Sequence, residues 1–239
     1  MDTTLYTSRR TFQEQVLDRL GQEICSGRYT PGAVLPSEAE LCERFGISRI
    51  VIREAIKSLV AKGMLVVRRK VGTTVLDPNH WNLFDPSIIA WRAHPSVLNQ
   101  TLSRDLMELR RIVEPAAARL AAQRASDNDR KALRAAYQSM ECAIAGDGDY
   151  IAADLAFHAI LLVACGNQFV RQMQDAMSAI LRTSFAIVSL KPGGPAFSLP
   201  MHEDLCRAVE AGDAQAAERA ALALIDQATN DLNAQLNFG

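Results

Sequence analysis

Apolar residues recur at helical spacing along most of the chain, and the breaks between the runs divide it into elements. Phe12, Val16, Leu17, Leu20 and Ile24 predict an amphipathic helix over residues 11 to 27, stopped at Gly27. Pro31, Gly32 and Pro36 then enforce a turn. Ser37 and Glu40 have the spacing of a capping box, in which each side chain satisfies an amide left open at a helix start. The short helix that follows has Leu41 and Phe45 as its apolar edge and Gly46 as a left-handed stop, and Ser48 is placed to cap the next helix. On that next helix Val51, Ile52, Ala55, Ile56, Leu59 and Val60 predict the buried side, up to Gly63. The period then changes: residues 64 to 67 and 73 to 76 read as two short strands joined through Arg68 to Gly72.

Residues 77 to 97 carry three prolines and both tryptophans, and read as a linker with a short helix around Pro86 to Ala93. Trp81, Phe84 and Trp91 are expected to pack onto a neighbouring domain rather than stack on bases. From residue 98 the pattern is helical throughout, over about 98–124, 127–145, 149–165, 167–190, 200–211 and 213–236. Short Gly, Asp and Asn breaks make an antiparallel bundle the natural packing, with one longer loop from Lys191 to Pro200. The fold class is therefore mainly α: an N-terminal winged helix-turn-helix with a small β-hairpin wing over residues 1–78, a linker with a short helix over 79–97, and an all-α antiparallel bundle over 98–239.

Charge changes this picture only by its placement. The net charge of −1 divides into 12 Lys or Arg against 9 Asp or Glu in residues 1 to 80, and an acidic excess beyond them. The N-terminal part is thus the better match for a polyanion. Arg49, Arg53 and Lys57 recur every four residues on one face of the third helix, and Arg68 to Lys70 make a basic tip on the hairpin. A capped tight turn, a basic second helix and a hairpin directly behind it form a helix-turn-helix with a wing. Arginines on such a helix reach guanine bidentately in a major groove, whereas Lys57 and Lys70 suit phosphates. Gly72 permits close backbone approach at the wing.

The ordered set PG, LPSE, SR, REA, KG and the wing glycine between Gly27 and Val75 resembles the winged-helix transcription regulators of the GntR type. The resemblance implies that Ser48, Arg49 and Arg53 face double-stranded operator DNA, with Gly72 nearby in the wing. One departure is Ala39, where the family commonly has an arginine.

The bundle carries its own chemistry. Asp154 and His158, one helical turn apart, project from one face and can share a metal ion or a structural hydrogen bond. The segments 108–122, 154–169 and 202–222 are similar to the helical FCD effector domain of the FadR subfamily. This implies a divalent metal such as zinc, nickel or manganese, held by Asp154, His158 and His202, that in turn holds a small carboxylate effector. The family's fourth ligand, a histidine, falls near Leu224 or Asp226 and is missing. Arg110 matches an arginine often turned into the cavity; an outer-face salt bridge with Glu114 is its alternative. The pattern is most similar to the galactonate operon repressor branch, which implies a sugar acid effector such as an aldonate or uronate.

The expected protein is a ligand-responsive repressor acting as a homodimer, because one recognition helix spans only a half-site. A metal-dependent enzyme acting on a small acid is the alternative, with Glu203 and Asp204 beside His202 as its nearest acids. No apolar run is long enough to span a membrane and the N-terminus has no signal-like apolar core, so a cytoplasmic location is expected. The five cysteines have no C-x-x-C pair and are expected to be reduced and mostly buried.

Overall fold

The computed structural model describes residues 11–94, 97, 99–188 and 194–236. The chain forms two compact units, Met1–Val97 and Leu98–Gly239.

In the first unit, α1 (Phe12–Cys25) starts at a capping box made by Thr11 and Glu14. Helix α2 (Glu38–Phe45) starts at the box expected from the sequence: the Ser37 amide donates to Glu40 Oε2 at 2.7 Å. It ends at Gly46, whose φ of 66° is the left-handed stop. Helix α3 (Arg49–Ala61) follows after Ser48. Ser48 has the extended backbone of a cap, but its hydroxyl makes no capping bond, contrary to the sequence expectation. The stripe of α3 that reaches the core is Ile52, Ala55, Ile56 and Leu59. Val51 is only half-buried and Val60 is exposed, because they flank that stripe rather than lie on it. Leu20, Leu41, Ile52, Leu59, Met64 and Leu65 close the core, each fully buried apolar side chain contributing roughly 1.5–3 kcal/mol.

The wing is an antiparallel pair, β1 (Leu65–Arg68) and β2 (Gly72–Val75), in register from Leu65 opposite Val75 to Arg68 opposite Gly72. A bridge from Val34 to Thr74 ties the pre-α2 turn to the wing. Lys70 and Gly72 both take positive φ, 64° and 108°, so the chain reverses within three residues. Behind it come a 3-10 turn (Pro78–His80) and α4 (Pro86–Arg92). Trp81 donates to the Leu76 carbonyl at 3.0 Å and Trp91 to Asp18 at 3.1 Å, and both indoles are buried in the first unit's core. A Cβ at Gly21 would overlap the Trp91 ring, so glycine lets α4 lie close on α1. The stretch expected as a linker is therefore part of this unit. Its Phe84, expected to pack, is 51% exposed.

The second unit comprises α5 (Gln100–Arg124), α6 (Asp127–Ile144), α7 (Tyr150–Ala164), α8 (Gln168–Gln172), α9 (Gln174–Val188), α10 (Gly194–Ala211) and α11 (Ala214–Leu236). Its core draws Ala118, Ala121 and Ala122 from α5, Leu133 and Met140 from α6, Phe157 and Leu161 from α7, Leu205 and Val209 from α10, and Ala217 and Ala221 from α11. Small alanines on α5 and α11 allow those two helices to approach closely. Two expectations need correction. The helix placed at 167–190 is broken at Met173 into α8 and α9. The loop placed at Lys191–Pro200 is helical from Gly194; residues 191–193 lie outside the described residues. Pro200 lies inside α10, where it removes one amide donor without ending the helix. All five cysteines are free; Cys165 and Cys206 are buried, whereas Cys142 is exposed. Among the described residues no helix is long and apolar enough to cross a membrane.

Candidate functional site

On the first unit, α2 and α3 present one shared ion-pair system. Glu38 in the first turn of α2 accepts from Arg49 Nε at 2.7 Å with one carboxylate oxygen and from Arg53 Nε at 3.1 Å with the other. Hydrogen bonding from Arg49, and secondarily from Arg53, holds the Glu38 carboxyl below its ordinary range. Both contacts use the Nε edge, so the terminal Nη pair of each guanidinium lies outside them. Lys57 pairs with Glu54 at 2.8 Å on the exposed side of the same helix. Ile50 is 74% exposed between these cations. The α3 N-terminus has no acidic residue in its first turn and no side-chain cap from Ser48. Arg68, Arg69 and Lys70 are exposed at the wing tip, with Gly72 at its base, where an added Cβ would press on Val34. Ala39 is exposed beside Glu38.

The second unit holds a cavity that opens to solvent. Arg110 on α5, Asp154 and His158 on α7, Ser198 and His202 on α10, and Gln227 and Asp231 on α11 line it, the last three as pairs one turn apart, while Glu114, one turn beyond Arg110, lines a second, smaller pocket that His158 also lines. Asp154, His158 and His202, predicted from sequence, do converge: each offers a ligand atom within 4.8 Å of the others, and all three are buried. Among the described residues they form a possible His/Asp metal site.

The hydrogen bonds around the imidazoles decide what can sit between them. His202 Nδ1 lies 2.9 Å from the Ser198 carbonyl, which can only accept, so Nδ1 carries the proton. In the neutral ring Nε2 is then a bare lone pair, and it faces Asp154 Oδ1 at 2.9 Å. Two acceptors at that separation repel unless a cation or a second proton lies between them. His202 Nε2 is buried without a hydrogen-bond partner, and so is the other aspartate oxygen, Asp154 Oδ2. His158 is held the same way: Nδ1 donates to Glu114 Oε2 at 3.1 Å, and Nε2 lies 3.7 Å from Asp154 Oδ2. A carboxylate or carbonyl behind each ring, with both Nε2 atoms turned to one aspartate, is the outer-shell pattern of histidine metal ligands. Two nitrogens and a carboxylate oxygen suit a divalent transition metal.

Arg110 satisfies both of its sequence readings in part. It is paired with Glu114, at 2.7 Å from Nε and 3.3 Å from Nη2, but the pair is buried rather than on the outer face, and Arg110 lines the cavity. With that side of the fork committed, the guanidinium retains Nη1. Burial opposes ionisation of Glu114, yet Arg110 and His158 hold its pKa down at about 2. Burial likewise opposes the charged form of Asp154, which its histidines and Arg110 hold low. His158 is desolvated too, but Glu114 and Asp154 raise it above the ordinary histidine value.

Of the two positions open for the missing fourth ligand, Leu224 is buried and lines the cavity. Asp226 is half-exposed and pairs with Arg111. Glu203 pairs with Arg207 at 2.6 Å and Asp204 is exposed; neither lines the cavity. Sequence reading missed Glu114 as the group that orients His158, although the inward-facing Ala117, Ala118 and Ala121 on the same helix point to a buried face. It also missed Tyr150, Ser198, Gln227 and Asp231, which carry no motif. Asn167 caps α8, its side chain accepting from the Phe169 and Val170 amides.

Comparison with known proteins gives these two sites their setting. Residues 12–75 match the family described as bacterial regulatory proteins, gntR family, and residues 105–227 match the FCD domain. The galactonate operon transcriptional repressor of Escherichia coli K12 is 34% identical over 92% of this chain and 96% of its own length. The uncharacterized regulator YieP of the same organism is 30% identical over 87% and 90%. Among solved structures, the Streptococcus agalactiae GntR protein aligns with a TM-score of 0.50 at 28% identity, covering 91% of this chain and 99% of that one. Lar, which controls expression of the Listeria monocytogenes agr system, aligns at 0.70 and 19% identity over 95% and 99%, a likeness of fold. The chain belongs to the gntR family of bacterial regulatory proteins, in the FadR-like group that carries an FCD domain, and is a DNA-binding transcription regulator.

Proposed function

We propose that the protein is a repressor whose affinity for operator DNA is lowered by a sugar acid, an aldonate or uronate, bound in the second unit's cavity together with a divalent metal. The observation that carries this reading is the close approach of His202 Nε2 to Asp154 Oδ1, 2.9 Å apart and buried, with His158 beside them, in a cavity that also holds Arg110. Asp154, His158 and His202 would hold the ion. When bound, a divalent ion supplies open coordination positions for carboxylate and hydroxyl oxygens. Arg110 Nη1 adds a hydrogen bond to the same carboxylate, and Glu114 keeps both Arg110 and His158 oriented. The galactonate operon repressor named above supports an aldonate in particular.

On the DNA side, Arg49 and Arg53 read bases with their Nη pairs while Glu38 braces both through Nε. The Ser48 hydroxyl and the open α3 amides hold a phosphate, Lys57 and Lys70 contact phosphates, and Gly72 lets the wing backbone lie close to the duplex. A homodimer places two such heads on a two-fold symmetric site.

Thermal unfolding of the purified chain tests the cavity. Zinc, nickel or manganese is expected to raise Tm, and a chelator to reverse the rise. D-galactonate at about 100 times its Kd should add about 2.7 kcal/mol of stability to the metal-loaded protein. Asp154→Ala should abolish both effects. A wild-type protein indifferent to all three metals and to the acid would sink this reading of the cavity.

A further inference from the structure

Resting on the reading of α3 as the helix that enters the major groove, we infer that Ile50 is a further specificity residue of this chain, and that it reads the 5-methyl group of a thymine close to the guanine that Arg53 takes. Ile50 is 74% exposed, and among the described residues no large apolar side chain is more so. It lies outside the apolar core of its unit. At about 100° per residue it stands about 170° around α3 from the middle of the Ile52, Ala55, Ile56 and Leu59 stripe, so it points directly away from that core. Isoleucine does not favour the helix there either, because a β-branched side chain is a weaker helix former than alanine. Neither packing within the unit nor helix propensity accounts for the residue; an apolar contact outside the chain does.

The surroundings decide what that contact is. Arg49 precedes Ile50 in the chain and Arg53 follows it by one turn; both side chains are more than half exposed and are held from one side by Glu38. Lys57, two turns on, is paired with Glu54. The first turn of α3 carries no acidic residue, so its N-terminal dipole adds to the positive charge of the arginines. This frame draws a polyanion onto the face from which Ile50 projects. An apolar protein surface would strip water from the two guanidinium groups without pairing them, whereas DNA pairs them as it covers the isoleucine. In a major groove the edges of guanine, adenine and cytosine present hydrogen-bonding groups that an isoleucine cannot use, and the thymine 5-methyl is the apolar group on offer. Ile50 is also in the first turn of α3, the end that a recognition helix aims at base edges. One helical turn of about 5.4 Å covers between one and two base-pair steps of about 3.4 Å, which puts the thymine within about two base pairs of the Arg53 guanine.

The test uses the full chain and the duplex that it selects from a random pool, with each thymine replaced in turn by deoxyuridine. That exchange removes the methyl group and leaves every hydrogen-bonding atom of the base in place. Uracil at a thymine near the Arg53 guanine is expected to weaken binding by the wild type about fourfold, the worth of one buried methyl-sized group. Ile50→Ala should bind the thymine duplex less tightly by a similar factor and should bind the thymine and uracil duplexes equally. Ile50→Val, which keeps a branched apolar surface, should retain part of the preference for thymine. Comparing the two duplexes within each variant cancels any general loss of binding. A wild type indifferent to every uracil exchange, a selected duplex with no thymine in that window, or an Ile50→Ala variant as sensitive to uracil as the wild type overturns the inference. The groove reading of α3 survives any of these results provided that Arg53→Ala loses its guanine preference on the same duplexes. An Arg53→Ala variant with unchanged preference removes the groove reading, and this inference with it.

Discussion

Replacing Arg110 with methionine is expected to destabilise the second unit by about 3 to 5 kcal/mol, the usual cost of removing one partner from a buried ion pair. Glu114 would remain buried with only His158 beside it, and Asp154 would lose a compensating positive charge. Both members of the pair are under 8% exposed, so solvent screening does not reduce the effect. The double change Arg110→Met with Glu114→Leu should restore much of the loss, because it removes the stranded charge as well. Urea denaturation of the single and double variants measures both terms. A loss below about 1 kcal/mol for the single variant would be the behaviour of a solvated pair and would contradict the buried geometry.

Arg53→Ala is expected to remove most of the preference for the duplex that the wild-type protein selects from a random pool. Each bidentate arginine–guanine contact carries about 1–3 kcal/mol of discrimination, and the proposed homodimer would lose two of them. Arg49 would keep its own bond to Glu38, so residual preference should come from that residue. Lys57→Ala is expected to behave differently, weakening selected and scrambled duplexes alike and reducing the salt slope by about one. Fluorescence anisotropy with both duplexes at one fixed salt concentration separates the two. Unchanged preference in the Arg53 variant would take Arg53 off the bases.

What could be read directly from the sequence was local. The Ser37–Glu40 box, the Gly46 stop and the wing each depend on residues within a few positions and formed within a residue of expectation, and the recognition-helix stripe formed narrower than expected, without Val51 and Val60. Ser48 did not cap, because occupying a cap position fixes the backbone but leaves the hydroxyl rotor free. The tryptophans of residues 79–97 bind to α1 and the wing's end through contacts such as Trp91 to Asp18, 73 positions apart, which no local pattern shows. Proline was overweighted at Pro200, where the helix tolerates it.

The cavity divides along the same line. Asp154 and His158 were legible as one helical turn, and His202 came from family likeness. Their arrangement depends on Glu114, which is local to Arg110 but reaches His158 across 44 positions of chain. Whether the Arg110–Glu114 turn faced water or the interior depended on how α5 packs, and the periodicity of α5 alone left that open. Gln227 and Asp231 look like an ordinary polar turn near the end of the last helix until α11 is placed on the cavity.

Signal transmission from cavity to DNA is tested most directly by titrating D-galactonate into the metal-supplemented protein on its selected duplex, at fixed salt and temperature. A coupling of 1–3 kcal/mol, the usual range, corresponds to a fall in DNA affinity of about 5- to 150-fold at saturation, and Asp154→Ala should abolish the response without weakening DNA binding itself. DNA affinity that stays constant while calorimetry shows the acid bound would contradict control of the repressor by this cavity.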